Sequence, residues 1–195
     1  AEGRRNSPEQ ICYNRSAMAM PTRERLAVVL IGHGAPATDC PPQLVGELMS
    51  LEWRNSHPAR DPALLQQRAA ELDAQIRRWP RTAQNDPYHV GLQRLAEVLQ
   101  PLLPTDLFAI GYNEFCEPSI AQAIEAVIGQ GATRVLVLPT MMTPGGLHSE
   151  HDIPRALGAM RQIHPQVRID YLWPFDLQQV AALLAAHVTQ ALRHG

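Results

Sequence analysis

Two histidines and a glutamate carry most of the available chemistry in this chain. His33 stands between Gly32 and Gly34, directly after the apolar run Leu26-Ala-Val-Val-Leu-Ile31. Glu114 sits within Tyr112-Asn-Glu-Phe-Cys-Glu117, and His148 closes Pro144-Gly-Gly-Leu-His148 ahead of Ser149-Glu-His-Asp152. A neutral imidazole can hold a divalent metal or carry a proton, and a carboxylate can do either. Each group also has a plainer use. A histidine between glycines serves equally well to bond a tight turn after a strand. His148, Glu150 and His151 read as a solvated loop before a helix as readily as a metal cluster. Glu114 could cap the next helix, although Glu117 beside Pro118 is better placed to do so. Met141 and Met142 read as wall or core rather than soft ligands. His57, His89, His164, His187 and His194 fall on expected helices or tails and read as structural or solvated. The Gly-His-Gly is not a dinucleotide fingerprint, because Gly-x-Gly-x-x-Gly fails at Ala37.

For the three residues to meet, strands must carry them to one edge. The run at Leu26–Ile31 reads as a strand buried on both faces, and 106–111, 134–138 and 167–172 are three further candidates. Between them, Ile120, Ile124, Val127 and Ile128 share one helical face. Leu177, Val180, Ala181, Leu184, Val188 and Leu192 share another. Asp61-Pro62, Asp86-Pro87, Glu117-Pro118 and Asp152-Ile153-Pro154 each set an acidic residue before a proline suited to a first helical turn. The alternation predicts an α/β fold: an open, mostly parallel four-stranded sheet with helices on both faces. Ligands of such sheets bind beyond the carboxyl ends of the strands, where His33, Glu114 and His148 all fall. A helical insertion at about 41–88 separates the first two strands. Residues 26–195 are expected to form one domain, with 1–25 a flexible extension.

Composition narrows the partners. The chain has 195 residues, 45% of them hydrophobic, enough for one domain with a real core. Basic and acidic residues number 17 and 19, so the basic excess typical of a nucleic-acid binder is missing. All the basic residues are arginine. A lysine Schiff base and a P-loop are therefore ruled out. No apolar run approaches the ~20 residues that span a bilayer, and no membrane role is expected. Three scattered cysteines (Cys12, Cys40, Cys116) form neither a disulfide framework nor a zinc motif, which fits a cytoplasmic location.

Three segments taken together narrow the reading further. Leu26–Gly34, Gly111–Ser119 (GYNEFCEPS) and Gly145–Pro154 (GGLHSEHDIP) resemble, in order, the motifs of the class II tetrapyrrole chelatases. Those motifs are a Gly-His-Gly after the first strand, a Glu-hydrophobic-x-Glu-Pro-Ser, and a Gly-x-His-x-x-x-Asp-Ile-Pro. The resemblance covers about 26–45 and 105–190. It implies a chelatase-like fold and insertion of cobalt or iron into sirohydrochlorin or a related tetrapyrrole. The alternatives are a non-catalytic metal or tetrapyrrole carrier and a haem-type ferrochelatase, although the Ser-His-Ser-x-Pro signature of the latter is missing. The resemblance puts the family's metal-handling histidines on His33 and His148 and its active-site glutamate on Glu114. Gly34, Tyr112, Asn113, Met141, Gly145, Gly146 and Arg155 are the candidate tetrapyrrole contacts. No prosthetic group is implied, since the divalent ion (Co²⁺, Fe²⁺ or Ni²⁺) is itself a substrate. A homodimer is expected, because longer relatives carry two such halves and this chain has one Gly-His-Gly and one Gly-Gly-Leu-His.

Overall fold

The computed structural model describes residues 24–55 and 62–194. The expected extension over 1–25 and the Asp61 helix start therefore fall largely outside the described residues. Four strands, β1 (Leu26–Gly32), β2 (Leu107–Tyr112), β3 (Arg134–Pro139) and β4 (Arg168–Tyr171), form one all-parallel sheet in the order β2-β1-β3-β4. β1 lies at the centre with Ala27 to Gly32 all buried, as its unbroken apolar run demands.

The period of two in β3 divides the sheet into two faces. Val135 and Val137 point toward α4 (Ile120–Gly129) and α5 (Ile153–Ile163), where Val29, Ile124, Val127 and Leu157 complete the main core. On the other face Leu30 and Tyr112 pack against Leu92 and Ala96 of α3 (Pro87–Leu99). Truncating a fully buried leucine such as Leu157 to alanine costs roughly 2–5 kcal/mol. The insertion forms α1 (Pro42–Asn55) and α2 (Pro62–Arg77), two helices with a core of their own in Leu48, Leu51, Leu72 and Ile76. Phe115, one residue past Glu114, plugs into that core and ties the insertion to the site loop.

Three expectations need correction. α4 begins at Ile120, capped by Ser119 and Gln122 in a reciprocal box, so Glu117 does not cap it. Asp152 makes no capping bond to α5. A π-helical turn, His148–Asp152, precedes that helix, and its backbone bonds leave the Asp152 carboxylate free for another task. The last helix, α6 (Leu177–His194), has the expected apolar stripe, but Leu184, Val188 and Leu192 are exposed rather than in the core. Asp86, by contrast, caps α3 by accepting from the His89 amide.

Candidate metal centre

The loops after β1 and β2 are bonded to each other before they carry anything else. Asn113 N–H donates to the Gly32 carbonyl at 2.9 Å, and Glu114 N–H donates to the His33 carbonyl at 3.0 Å. Gly34 adopts φ +92, and a side chain there would collide with the Glu114 backbone, so only glycine lets the loops approach this closely. Two arginines of the insertion region hold the far side. Arg77 donates to the carbonyls of Asn113 and Cys116 at 2.8 and 2.9 Å. Arg81 donates to the carbonyls of Ala35 and Phe115. Tyr88 of α3 accepts from the His33 amide at 2.8 Å. A loop whose carbonyls are met by guanidinium forks has little freedom to move its side chains.

On this frame the three site residues converge. The rings of His33 and His148 lie edge to face, centroids 4.6 Å apart. Glu114 Oε1 lies 3.4 Å from His33 Nδ1 and 3.7 Å from His148 Nε2. One donor atom from each residue fits within a mutual 4.8 Å, the spacing of ligands around a single ion.

The outer contacts assign the protons. His33 Nδ1 lies 2.7 Å from the Gly34 carbonyl, which can only accept. His148 Nδ1 lies 2.7 Å from Asp152 Oδ2, a carboxylate oxygen that accepts, and the Asn113 Nδ2, itself a donor, competes for the same nitrogen from 2.9 Å. With Nδ1 donating in both rings, each Nε2 keeps its lone pair; that of His148 faces Glu114, whereas the His33 nitrogen nearest Glu114 is Nδ1. Metal-ligating histidines hold the same arrangement, one nitrogen tied back and the other open. Arg155 Nη2 stands 3.5 Å from Asp152 and supports its charge. Burial pushes the Glu114 carboxyl above its ordinary value; His33 and His148 pull it down, and Asp152 raises it again. A partly desolvated carboxylate of raised basicity is a ready proton acceptor.

His33 also lines a cavity of about 580 Å³ that runs between α3 and the loop after β3, walled by Tyr88, Leu92, Leu95, Thr140 and Met141. The volume falls in the range of small-molecule sites, and the walls are largely apolar, as such sites require. Of the expected contacts, Gly34 and Asn113 stand beside the metal-competent residues and Met141 lines the cavity. Gly145 and Gly146 sit on an exposed loop, and Arg155 is 83% exposed on α5. Tyr112 is a correction. Its ring is buried and its hydroxyl lies against His89, so it supports the loop from behind and offers no surface to a ligand. Sequence reasoning missed Asp152 as the partner of His148, and Arg77 and Arg81 as loop clamps. The i,i+4 spacing of His148 and Asp152 was a usable signal; the two arginines left none.

A family model described as CbiX matches residues 83–191. The chain belongs to the CbiX family. The resemblance to class II chelatases read from the three motifs is thereby met. This CbiX chain is 40% identical over 73 residues to a sirohydrochlorin cobaltochelatase of Methanocaldococcus jannaschii, a match covering 37% of the chain and 50% of the relative. It is 36% identical over 68 residues to a sirohydrochlorin ferrochelatase of Priestia megaterium, covering 35% and 25%. The chain thus spans half or less of the curated relatives it matches. A crystal structure of a CbiX protein from Marinobacter aquaeolei VT8 aligns over 87% of this chain and 99% of its own, with TM-score 0.52 and 17% identity, and shares the fold. No helix among the described residues is long and apolar enough to cross a membrane.

Proposed function

We propose that this CbiX protein is a cytoplasmic metal chelatase that inserts cobalt or iron into sirohydrochlorin or a closely related tetrapyrrole, and that it works as a homodimer. The observation that carries this reading is the pairing of two imidazoles, each with Nδ1 tied back, around a raised-pKa carboxylate on the wall of an apolar cavity. Two relatives similar to about a third of this chain are a sirohydrochlorin cobaltochelatase and a sirohydrochlorin ferrochelatase.

Insertion exchanges two pyrrole N–H protons for one divalent ion, so it needs a weak metal holder and a proton acceptor side by side. His148 Nε2 and one ring nitrogen of His33 supply the first. Two nitrogens and one carboxylate oxygen leave the ion incompletely coordinated, and it can pass on to a tetradentate ligand. Glu114 supplies the second. It receives one pyrrole proton as the nitrogen turns to the metal, and burial strengthens it as a base; the second proton passes to the imidazole lone pair that the departing ion frees. The imidazoles accept ions of cobalt, iron and nickel alike, so the ligand set is compatible with each of these as the metal substrate. Arg155, exposed near the same edge, is the available fork for a carboxylate on the macrocycle rim.

The test is direct. Purified protein is incubated with sirohydrochlorin and, in separate samples, Co²⁺, Fe²⁺ or Ni²⁺, and the macrocycle absorbance is followed. Turnover above the metal-only background supports the proposal. Stoichiometric binding without release of metallated product would make it a carrier.

A further inference from the structure

Three tyrosines fall among the described residues, and two of them use their hydroxyl inside the fold. Tyr171 donates to the Ser149 carbonyl at 3.1 Å, and the Tyr112 hydroxyl is paired with His89 Nδ1 at 2.8 Å. Tyr88 differs. Its oxygen accepts from the His33 amide at 2.8 Å, and among the described residues nothing accepts its proton. A phenol carries one donor besides its acceptor sites, so the Tyr88 donor is left for a group outside the fold. The side chain is 38% exposed and lines the cavity beside His33. Across the cavity, the Thr140 hydroxyl is turned to the Met141 thioether, 3.7 Å away. Apart from these and His33, the lining brings no polar side chain.

That hydroxyl is held by the same frame as the metal-competent residues. α3 begins at Pro87, and its cap, Asp86, pairs with Arg81 at 2.7 Å. Arg81 also holds the carbonyls of Ala35 and Phe115, so one guanidinium ties the first turn of α3 to both site loops. α3 lies so close to the end of β1 that a Cβ on Gly32 would strike Leu92 and stand 3.2 Å from the Tyr88 hydroxyl. A donor fixed in this way loses little freedom on meeting a ligand. Its place also decides which part of a macrocycle it meets. Tyr88 bonds the His33 backbone, which Cα and Cβ separate from the imidazole. An ion held by the ring therefore stands well away from Tyr88, and the hydroxyl reaches the rim of a macrocycle rather than its central nitrogens. The rim of a sirohydrochlorin-type macrocycle carries carboxylates, and an O–H donates more strongly to a carboxylate than to a neutral acceptor.

We propose that Tyr88 is a substrate-binding residue: braced on the His33 amide, its hydroxyl donates to a carboxylate on the rim of the tetrapyrrole. This rests on the chelatase reading above and names a specificity contact for it. Arg155 and Tyr88 then take the macrocycle from two sides. Arg155 stands on α5 and Tyr88 on α3, helices packed on opposite faces of the sheet. A flat ring held at two separated points of its rim is centred over the residues between them, His33, Glu114 and His148. A phenol suits the α3 side better than a second arginine. The walls there are apolar, and a guanidinium among them would lack a countercharge whenever the substrate is absent.

The test is metal-free binding to the full chain, followed by quenching of the macrocycle's fluorescence. Tyr88→Phe should bind sirohydrochlorin about 10-fold more weakly, the lower end for a hydrogen bond to a charged group. With the fully methyl-esterified macrocycle the same substitution should cost less than about two-fold, because the charge that the hydroxyl answers is gone. Tyr88→3-fluorotyrosine keeps the shape and makes the hydroxyl a stronger donor and a weaker acceptor. It should bind sirohydrochlorin at least as tightly as wild type, and weaker binding overturns the contact. An unchanged affinity in Tyr88→Phe, or equal losses with acid and ester, overturns it as well. So does a fall in Co²⁺ affinity, measured without tetrapyrrole, as large as the fall for sirohydrochlorin, since Tyr88 would then only brace His33. A wild-type chain that binds neither macrocycle overturns the chelatase reading itself. A wild type that binds sirohydrochlorin no better than Tyr88→Phe does overturns the contact alone.

Discussion

Two clusters of three metal-capable side chains stand on either side of the same loop, and they are built to opposite ends. His33, Glu114 and His148 form one; Asp86, His89 and Cys116 form the other, with the same mutual limit of 4.8 Å between donor atoms. In the second cluster the donors are already engaged. Asp86 accepts from the His89 amide at 2.9 Å and from Arg81 at 2.7 Å. His89 Nδ1 meets the Tyr112 hydroxyl at 2.8 Å and Cys116 Sγ at 3.4 Å, and its Nε2 meets Gln93 at 2.7 Å. Burial pushes the Cys116 thiol up, and Arg81 offsets only part of that. A protonated thiol and a carboxylate held by a guanidinium make poor ligands. In the first cluster both imidazoles face the Glu114 carboxylate, and His148 Nε2 is open with its Nδ1 tied back to Asp152. Among the described residues, the His33 and His148 rings each have one nitrogen with no hydrogen-bond partner in the fold. Proximity of donors is therefore not what makes a metal site; lone pairs left without an internal partner are.

The largest expected effect separates the clusters outright. His148→Ala should lower Co²⁺ affinity by more than ~10²-fold, beyond the 10–100-fold cost of losing an outer partner. Cys116→Ser should change it by less than two-fold, and the cobalt spectrum should show no thiolate charge-transfer band. A Co²⁺ titration of both variants followed by absorbance decides it; equal losses would erase the distinction.

Next in size is the division of labour inside the first cluster. Glu114→Gln keeps shape but removes basicity, so insertion should slow by ~10²-fold, a usual general acid–base contribution, while cobalt affinity falls less. If affinity and rate fall in parallel, Glu114 is chiefly a ligand. Asp152→Asn should cost about 10-fold in affinity, because the carboxylate that fixes His148 with Nδ1 protonated is gone. Nitrogen-detected NMR of His148 supplies a readout that mere destabilisation would not move. The unaltered protein should show Nδ1 protonated, and the variant a mixture of tautomers.

Much of this was legible before any coordinates. The buried run at Leu26–Ile31 had to be a central parallel strand, and the next three strands fell within about a residue of their expected positions. The Gly-His-Gly, the Glu114 loop and the Gly-Gly-Leu-His lay after three strands of one parallel sheet, which sends them to one edge. What stayed hidden were long-range partners. Arg77 and Arg81 look like ordinary surface charges of a helix end and a loop, and only tertiary structure turns them onto carbonyls 39 and 34 residues away. Tyr112 was misread because a strand-end tyrosine is compatible with either face of the loop. Asp152 was misread because an acidic residue before Ile-Pro fits a cap. The π-helical turn, set by backbone bonding that sequence does not reveal, gave it to His148 instead.

The smallest predicted effect tests whether the metal centre is held at a cost to the fold while its neighbour supports it. The folded-state pKa of Glu114 is raised, mainly by burial, so the folded protein holds its proton to higher pH than the unfolded chain does. Wild-type stability should then decline as pH rises from the ordinary carboxyl range through the raised value, and level off above it. Glu114→Gln has no such proton to lose. Without metal the variant should match wild type near pH 4 and exceed it near pH 7.5 by on the order of 1 kcal/mol, the usual gain when a functional site is relaxed. Asp86→Asn should move the other way at neutral pH, because it leaves the buried Arg81 guanidinium without its countercharge. Saturating Co²⁺ should restore the wild-type advantage, since ligand binding to the folded state adds stability by mass action. Thermal melts at the two pH values, with and without Co²⁺, provide the measurement. A Glu114→Gln protein less stable than wild type at pH 7.5 without metal would mean that the carboxylate supports the fold, and that the contrast between the two clusters is one of degree.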